Sequence, residues 1–78
     1  MNELVSAFGR NLRRLRTERG MSQKDVADAC GVQQAMISNI ENGDRRPSLP
    51  LALNIAAHLG VTLDELSRDH ETAESAAA

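Results

Sequence analysis

The stretch from Gln23 to Asn42 constrains this fold more than any other part of the chain. Val26, Ala27 and Cys30 give its first half an apolar side at helical spacing, and Met36, Ile37 and Ile40 do the same for its second half. Gly31 stands between them and can adopt the left-handed backbone of a tight turn, where a Cβ would be penalised. Helices this short are not stable alone in water and must bury their stripes against each other. Two such stripes meeting across a glycine turn predict a helix-turn-helix.

The remainder of the chain reads as support for that unit. A first helix over Glu3 to Arg19 places Leu4, Val5, Phe8, Leu12 and Leu15 within an arc of about 100°. Arg10, Arg13 and Arg14 point the other way. Arg10 reads as part of a solvated face, and Arg13 and Arg14 read either as that or as a phosphate-facing patch. Arg16 lies at the margin of the apolar arc, where a guanidinium is partly buried only with a carboxylate partner. Gly20 ends this helix. Ser22 to Asp25 has the spacing of a capping box for the second helix, which ends at Cys30. The third helix runs from about Gln33 to Glu41, and Asn42-Gly43 is a turn signal.

A polar loop over Asp44 to Pro47 carries Arg45 and Arg46. Ser48 caps a fourth helix with Pro50 in its first turn. Leu49, Ala52, Leu53, Ile55, Ala56 and Leu59 form its expected core side, and Gly60 stops it. Thr62 to Glu65 is a second capping box and opens a short fifth helix holding Leu63 and Leu66. No stretch alternates with period two, so the expected fold class is all-α. Periodicity stops at about Ser67. The expected organisation is one domain over residues 1–67 and an acidic, disordered tail over 68–78.

A net charge of −2 argues against a nucleic-acid partner until its distribution is considered. Residues 1–62 hold eight Lys/Arg against six Asp/Glu, whereas residues 63–78 hold one against five. The body is mildly basic and the end is acidic. The single cysteine, Cys30, cannot close an internal disulfide and reads as a packed core thiol. No apolar run approaches the roughly 20 residues that span a bilayer, and the N-terminus lacks a signal-peptide pattern, so a cytoplasmic protein with no membrane partner is expected. His58 and His70 have no Cys or carboxylate partners at ligand spacing, so no metal and no cofactor are expected. No nucleophile–base pair, carboxylate dyad or glycine-rich phosphate loop supports an enzyme.

The third helix carries the functional signal. With Met36, Ile37 and Ile40 turned to the core, Gln34, Ala35, Ser38 and Asn39 project outward. That face is polar but uncharged, whereas an ordinary solvated face carries Lys and Glu. Gln and Asn match the paired donor and acceptor of adenine, Ser bonds either way, and Ala can touch a thymine methyl. Charge belongs at the flanks, on phosphates.

These residues bring the chain into resemblance with the XRE-type, or lambda-repressor-like (Cro/CI-type), helix-turn-helix regulators. The likeness covers residues 8–66. It rests on Leu15-Arg16 with Arg19-Gly20-Met21-Ser22-Gln23, Asp25-Val-Ala27, Gly31-Val32, Ile37-Ser-Asn-Ile-Glu-Asn-Gly43, Pro47-Ser-Leu49 and Leu59-Gly-Val-Thr-Leu-Asp-Glu-Leu66. The resemblance implies a compact five-helix domain with the helix-turn-helix at its second and third helices. It implies that Gln23 bonds a phosphate at a helix N-terminus and that Gln33 contacts backbone. Gln34, Ala35, Ser38 and Asn39 would face base edges, and Asn42, Arg45 and Arg46 would hold phosphates. Arg16 would pair with Glu41. Asp44 departs from the family, which often has Lys or Arg in that loop, and works against a phosphate contact there.

The expected function is that of a transcriptional regulator, a repressor on a near-palindromic operator. Two copies would place their third helices in successive major grooves of double-stranded DNA. Leu63 and Leu66 are the expected dimer contacts of this homodimer. The alternative is a DNA-binding antitoxin, or a protein–protein interaction module, whose acidic end folds on a partner protein.

Overall fold

The computed structural model describes residues 3–68, with side chains from Ser6 onward. Among these residues the structure is five helices without a strand: α1 (Glu3–Glu18), α2 (Gln23–Cys30), α3 (Gln34–Glu41), α4 (Leu49–Leu59) and α5 (Leu63–Ser67). Of the expected tail over 68–78 only Arg68, the C-cap of α5, is described; the rest with His70, and the side chains of Leu4 and Val5, lie outside the described residues.

Local chemistry sets the boundaries. Ser22 caps α2 by accepting from the Asp25 amide, and the Asp25 carboxylate accepts in turn from the Ser22 amide at 2.9 Å. These bonds hold the Asp25 carboxyl below its ordinary range, the Ser22 amide contributing most. Thr62 and Glu65 repeat the arrangement at α5, and the Ser48 hydroxyl accepts from the Leu51 amide to start α4. Gly31 ends α2 with φ of +70°, as its place between the two stripes required.

Helix α1 packs against α3 and α5, α2 against α3 and α4, and α4 against α5. Phe8, Leu12, Leu15, Val26, Ala27, Ile37, Ile40, Leu51, Ala52, Ile55, Ala56, Leu59 and Leu66 form one continuous core. The α1–α3 crossing is close at Gly9. A Cβ there would collide with the Ile40 carbonyl oxygen and come within 2.8 Å of the Glu41 carbonyl oxygen. Two residues further along α1 the buried Asn11 donates from Nδ2 to the Leu66 and Arg68 carbonyl oxygens, both at 2.7 Å. It thereby caps the C-terminal turn of α5, whose last carbonyls have no partner within the helix.

Two expectations require correction. Leu66 is fully buried, so its side chain cannot meet a second copy, and Leu63 is half-buried against the core. In α4, Leu49 and Leu53 are 63% and 51% exposed and do not belong to the core side. The buried residues Ala52, Ile55, Ala56 and Leu59 centre the inward face in one direction. Leu49 and Leu53 fall roughly 70° and 110° to one side of it, and Leu51, which is buried, closes it on the other. A helix with apolar residues most of the way round does not announce from sequence which of them face inward.

Candidate nucleic-acid interface

Helix α3 is held from behind. Ile37 and Ile40 are fully buried and Met36 is half-buried against the core, so the opposite face is turned to solvent. Gln34, Ala35 and Asn39 are exposed on it, and Ser38 is half-buried. Gln33 is the N-cap residue and exposed, and its side chain makes no capping bond. Its amide is therefore not consumed by the helix terminus. Asn42 follows the last turn, and Arg45 and Arg46 lie exposed in the loop beyond.

That loop is tied to α3 by its backbone. The Asn39 carbonyl oxygen accepts from the amides of Asp44 at 2.9 Å and Arg45 at 3.2 Å. Arg45 is thereby brought beside the outward face and shares a shallow groove with Val32, Gln33, Ala35, Met36 and Asn39. Its lining combines apolar groups from Val32, Ala35 and Met36 with the amides of Gln33 and Asn39 and the Arg45 guanidinium. Arg46 does not line it.

The C-terminal end of α3 is fixed by a buried carboxylate. The Glu41 side chain is 0% exposed. Arg16 grips it with two bonds, Nε to Oε2 at 2.6 Å and Nη2 to Oε1 at 3.1 Å. The expected Arg16–Glu41 pair therefore forms, in the bidentate geometry that makes such pairs strong. Arg16 also donates from Nη1 to the Met21 carbonyl oxygen at 2.9 Å, which ties the α1–α2 turn to the same point.

Two further side chains converge there. Gln23 donates from Nε2 to Glu41 Oε1 at 3.0 Å, and Arg13 donates from Nε to the same oxygen at 3.2 Å. Burial alone would push the Glu41 carboxyl up. The hydrogen bonds from Arg16, Gln23 and Arg13 and the charge of Arg16 outweigh it and hold the group below its ordinary range. The same partner raises Arg16. Every buried side-chain nitrogen and oxygen among the described residues has a hydrogen-bond partner.

The structure thus joins residues that sequence reading kept apart. Gln23, at the first turn of α2, touches both the hub and α3, for its Oε1 lies 3.5 Å from Gln34 Nε2. Asn42 is reached by Arg13, whose Nη2 donates to Asn42 Oδ1 at 3.1 Å. Arg13 was one of three similar arginines on an exposed face, and helical projection could not single it out. Its distance of three residues from Arg16, on the adjacent turn, was the available signal. Asn11 carried no signal, because one polar residue on an apolar arc reads as an interruption.

No helix among the described residues is long and apolar enough to cross a membrane. The arrangement is an uncharged, largely exposed polar face with cations and amide donors at its edges. Comparison with protein families matches residues 12–66 to the helix-turn-helix family. The control protein C.MunI from a Mycoplasma species is 40% identical over 72 residues, covering 91% of this chain and 97% of that protein. The solved restriction-modification controller protein C.AhdI from Aeromonas hydrophila superposes with a TM-score of 0.75 at 35% identity, over 80% of this chain and 94% of that one. The hypothetical transcription factor NHTF from Neisseria superposes with a TM-score of 0.85 at 26% identity, over 96% of this chain and 88% of that one. With its helix-turn-helix at α2 and α3, the chain belongs to the XRE-type helix-turn-helix family of DNA-binding transcriptional regulators.

Proposed function

We propose that this chain is a sequence-specific repressor that binds a near-palindromic operator as a homodimer, with α3 of each copy in a major groove. The observation that carries this reading is the outward face of α3, where Gln34, Ala35, Ser38 and Asn39 stand uncharged and contiguous while Glu41 locks the helix in place. Those four residues read base edges. Gln23, Gln33, Asn42, Arg45 and Arg46 hold the backbone and set the register. Two half-sites one helical turn apart, about 34 Å, require a two-fold symmetric dimer. Its surface is the exposed pair Leu49 and Leu53, one turn apart on α4, together with the half-buried Leu63. A second copy is the occupant that would cover both leucines symmetrically.

Selection of bound sites from random duplexes, followed by footprinting, tests the reading. The expected result is an enriched site with two protected half-sites on one face of the DNA. Asn39→Ala should then cost about 1–3 kcal/mol on the selected site and relax specificity at one position. Equal losses on selected and random DNA would overturn the base-reading role. A salt slope near zero in the parent protein would overturn DNA binding itself.

A second, narrower reading concerns the genes controlled. The likeness to C.MunI runs over 97% of that protein, and C.AhdI is a restriction-modification controller. We infer that this chain regulates a restriction-modification gene pair. A reporter driven by the promoter of such a pair should change its output when this chain is supplied, and an unchanged output would end this narrower reading.

A further inference from the structure

We propose that Arg13 is a DNA-backbone residue, and that it both binds a phosphate itself and positions Asn42 to bind the same one. The inference rests on α3 being the helix in the groove. It adds a residue of α1 to the binding surface, which the helix-turn-helix alone does not contain.

Arg13 is bonded in a way that a solvated arginine is not. Its Nε is anchored on the buried Glu41 carboxylate at 3.2 Å and its Nη2 on Asn42 Oδ1 at 3.1 Å. The guanidinium plane is therefore fixed, yet the side chain remains 53% exposed. A guanidinium has more N–H donors than these two bonds use, and the rest lie in one fixed plane. Two guanidinium groups, Arg13 and Arg16, converge on one carboxylate. Arg16 is buried at its inner side, so the surplus positive charge faces outward at Arg13.

The bond to Asn42 has a directional consequence. Arg13 can only donate, so the amide oxygen of Asn42 must be the atom that faces it, which settles the orientation of the amide. The Asn42 Nδ2 donor then points away from Arg13. The residue thus presents a donor and not an acceptor, which is the polarity a phosphate needs. Arg13 and Asn42 form a two-residue clamp at the C-terminal end of α3, whereas Gln33 and Gln34 stand at its N-terminal end.

The test measures binding of the full chain to the selected operator and to a random duplex over a salt series. The parent protein is compared with Arg13→Ala, Arg13→Lys, Asn42→Ala and the Arg13→Ala/Asn42→Ala double variant. The expected result for Arg13→Ala is a loss of about tenfold on both duplexes, with the salt slope reduced by about one. In the Arg13→Ala background, removal of Asn42 should cost little more, because its amide is no longer oriented. Arg13→Lys should keep the slope and lose the coupling, since an ammonium cannot span Glu41 and Asn42 as a planar fork does. An unchanged slope in Arg13→Ala, or additive losses in the double variant, would overturn the inference.

If Arg13→Ala fails to fold, the parent and Arg13→Lys decide on operators carrying a neutral methylphosphonate at single backbone positions. One position at which the parent loses affinity and Arg13→Lys loses less supports the clamp, and identical profiles overturn it. Failure of the parent to bind any selected DNA would instead count against the groove reading of α3.

Discussion

Replacing Glu41 by Gln is the sharpest perturbation of this fold. The change keeps size and shape and removes one charge. It also replaces one carboxylate oxygen with an NH2 group. Glu41 Oε1 now accepts from Arg13, Arg16 and Gln23, and Oε2 accepts from Arg16 Nε at 2.6 Å. Whichever way the Gln amide turns, its NH2 faces at least one N–H donor. Arg16 is then left nearly buried, its side chain 13% exposed, without a carboxylate. Removing one partner of a buried pair costs ~3–5 kcal/mol. A chain of this length has a total stability of about 4–12 kcal/mol. Glu41→Gln should therefore remove about a quarter or more of the stability, read as the midpoint of urea unfolding followed by circular dichroism. A loss below about 1 kcal/mol would refute the hub. The double variant Arg16→Met/Glu41→Leu should recover a large part of the loss, because an apolar replacement leaves no buried charge unpaired.

The same carboxylate makes stability depend on pH, and the sign follows from its depressed value. A carboxyl lower in the folded state than in the unfolded chain stabilises fully above the unfolded value, about 4.3 for Glu. That contribution is lost as pH falls through the folded value. Parent stability should therefore drop as pH is lowered below about 4.3, and Glu41→Gln should show a flatter profile over that window. Parallel profiles would assign the acid sensitivity to other groups. Asp25, also depressed, contributes with the same sign.

Two other substitutions probe the packing and the proposed dimer. Gly9→Ala puts a methyl group against backbone carbonyls of α3 that cannot rotate away, and should destabilise by about 3 kcal/mol, at the upper end of overpacking costs, in the same urea assay. A loss under about 0.5 kcal/mol would show that the α1–α3 crossing can open. Leu49→Ser with Leu53→Ser alters two exposed side chains, so the helical signal should be retained while sedimentation shifts toward the monomer and operator affinity falls. An unchanged sedimentation profile would place the dimer contact elsewhere.

The helix-turn-helix was legible because two signals coincide there: apolar spacing and a glycine at the turn between the two helices, where φ is +70°. The caps at Ser22, Ser48 and Thr62 were legible for the same reason, since capping is chemistry between residues a few places apart. The partnership of Arg16 and Glu41 came from family resemblance, and nothing local to either residue specifies it. Asn11 reaching the end of α5 from the middle of α1, and Arg13 reaching the end of α3, are contacts between residues distant in the chain, with no period to betray them. That Leu49 and Leu53 fall off the core side was not legible, because apolar character alone does not give direction on a helix that is apolar most of the way round, and Leu66 is buried because the short α5 turns it onto the core.

On the proposed reading of α3, the hub explains how so short a helix holds its orientation. Helix α3 spans eight residues, too few to hold their shape without tertiary support. Ile37 and Ile40 hold its middle to the core, but a hydrophobic contact is non-directional and leaves rotation about the helix axis weakly defined. A bidentate ion pair at Glu41 is directional, and it fixes the last turn to α1, while Gln23 fixes the first turn of α2 to the same oxygen. Base readout by paired hydrogen bonds tolerates little angular error. The cost of burying a charge is therefore matched to the need: Glu41 contributes orientation as much as stability, and two of its partners, Arg13 and Gln23, also reach the outer edges of α3 at Asn42 and Gln34.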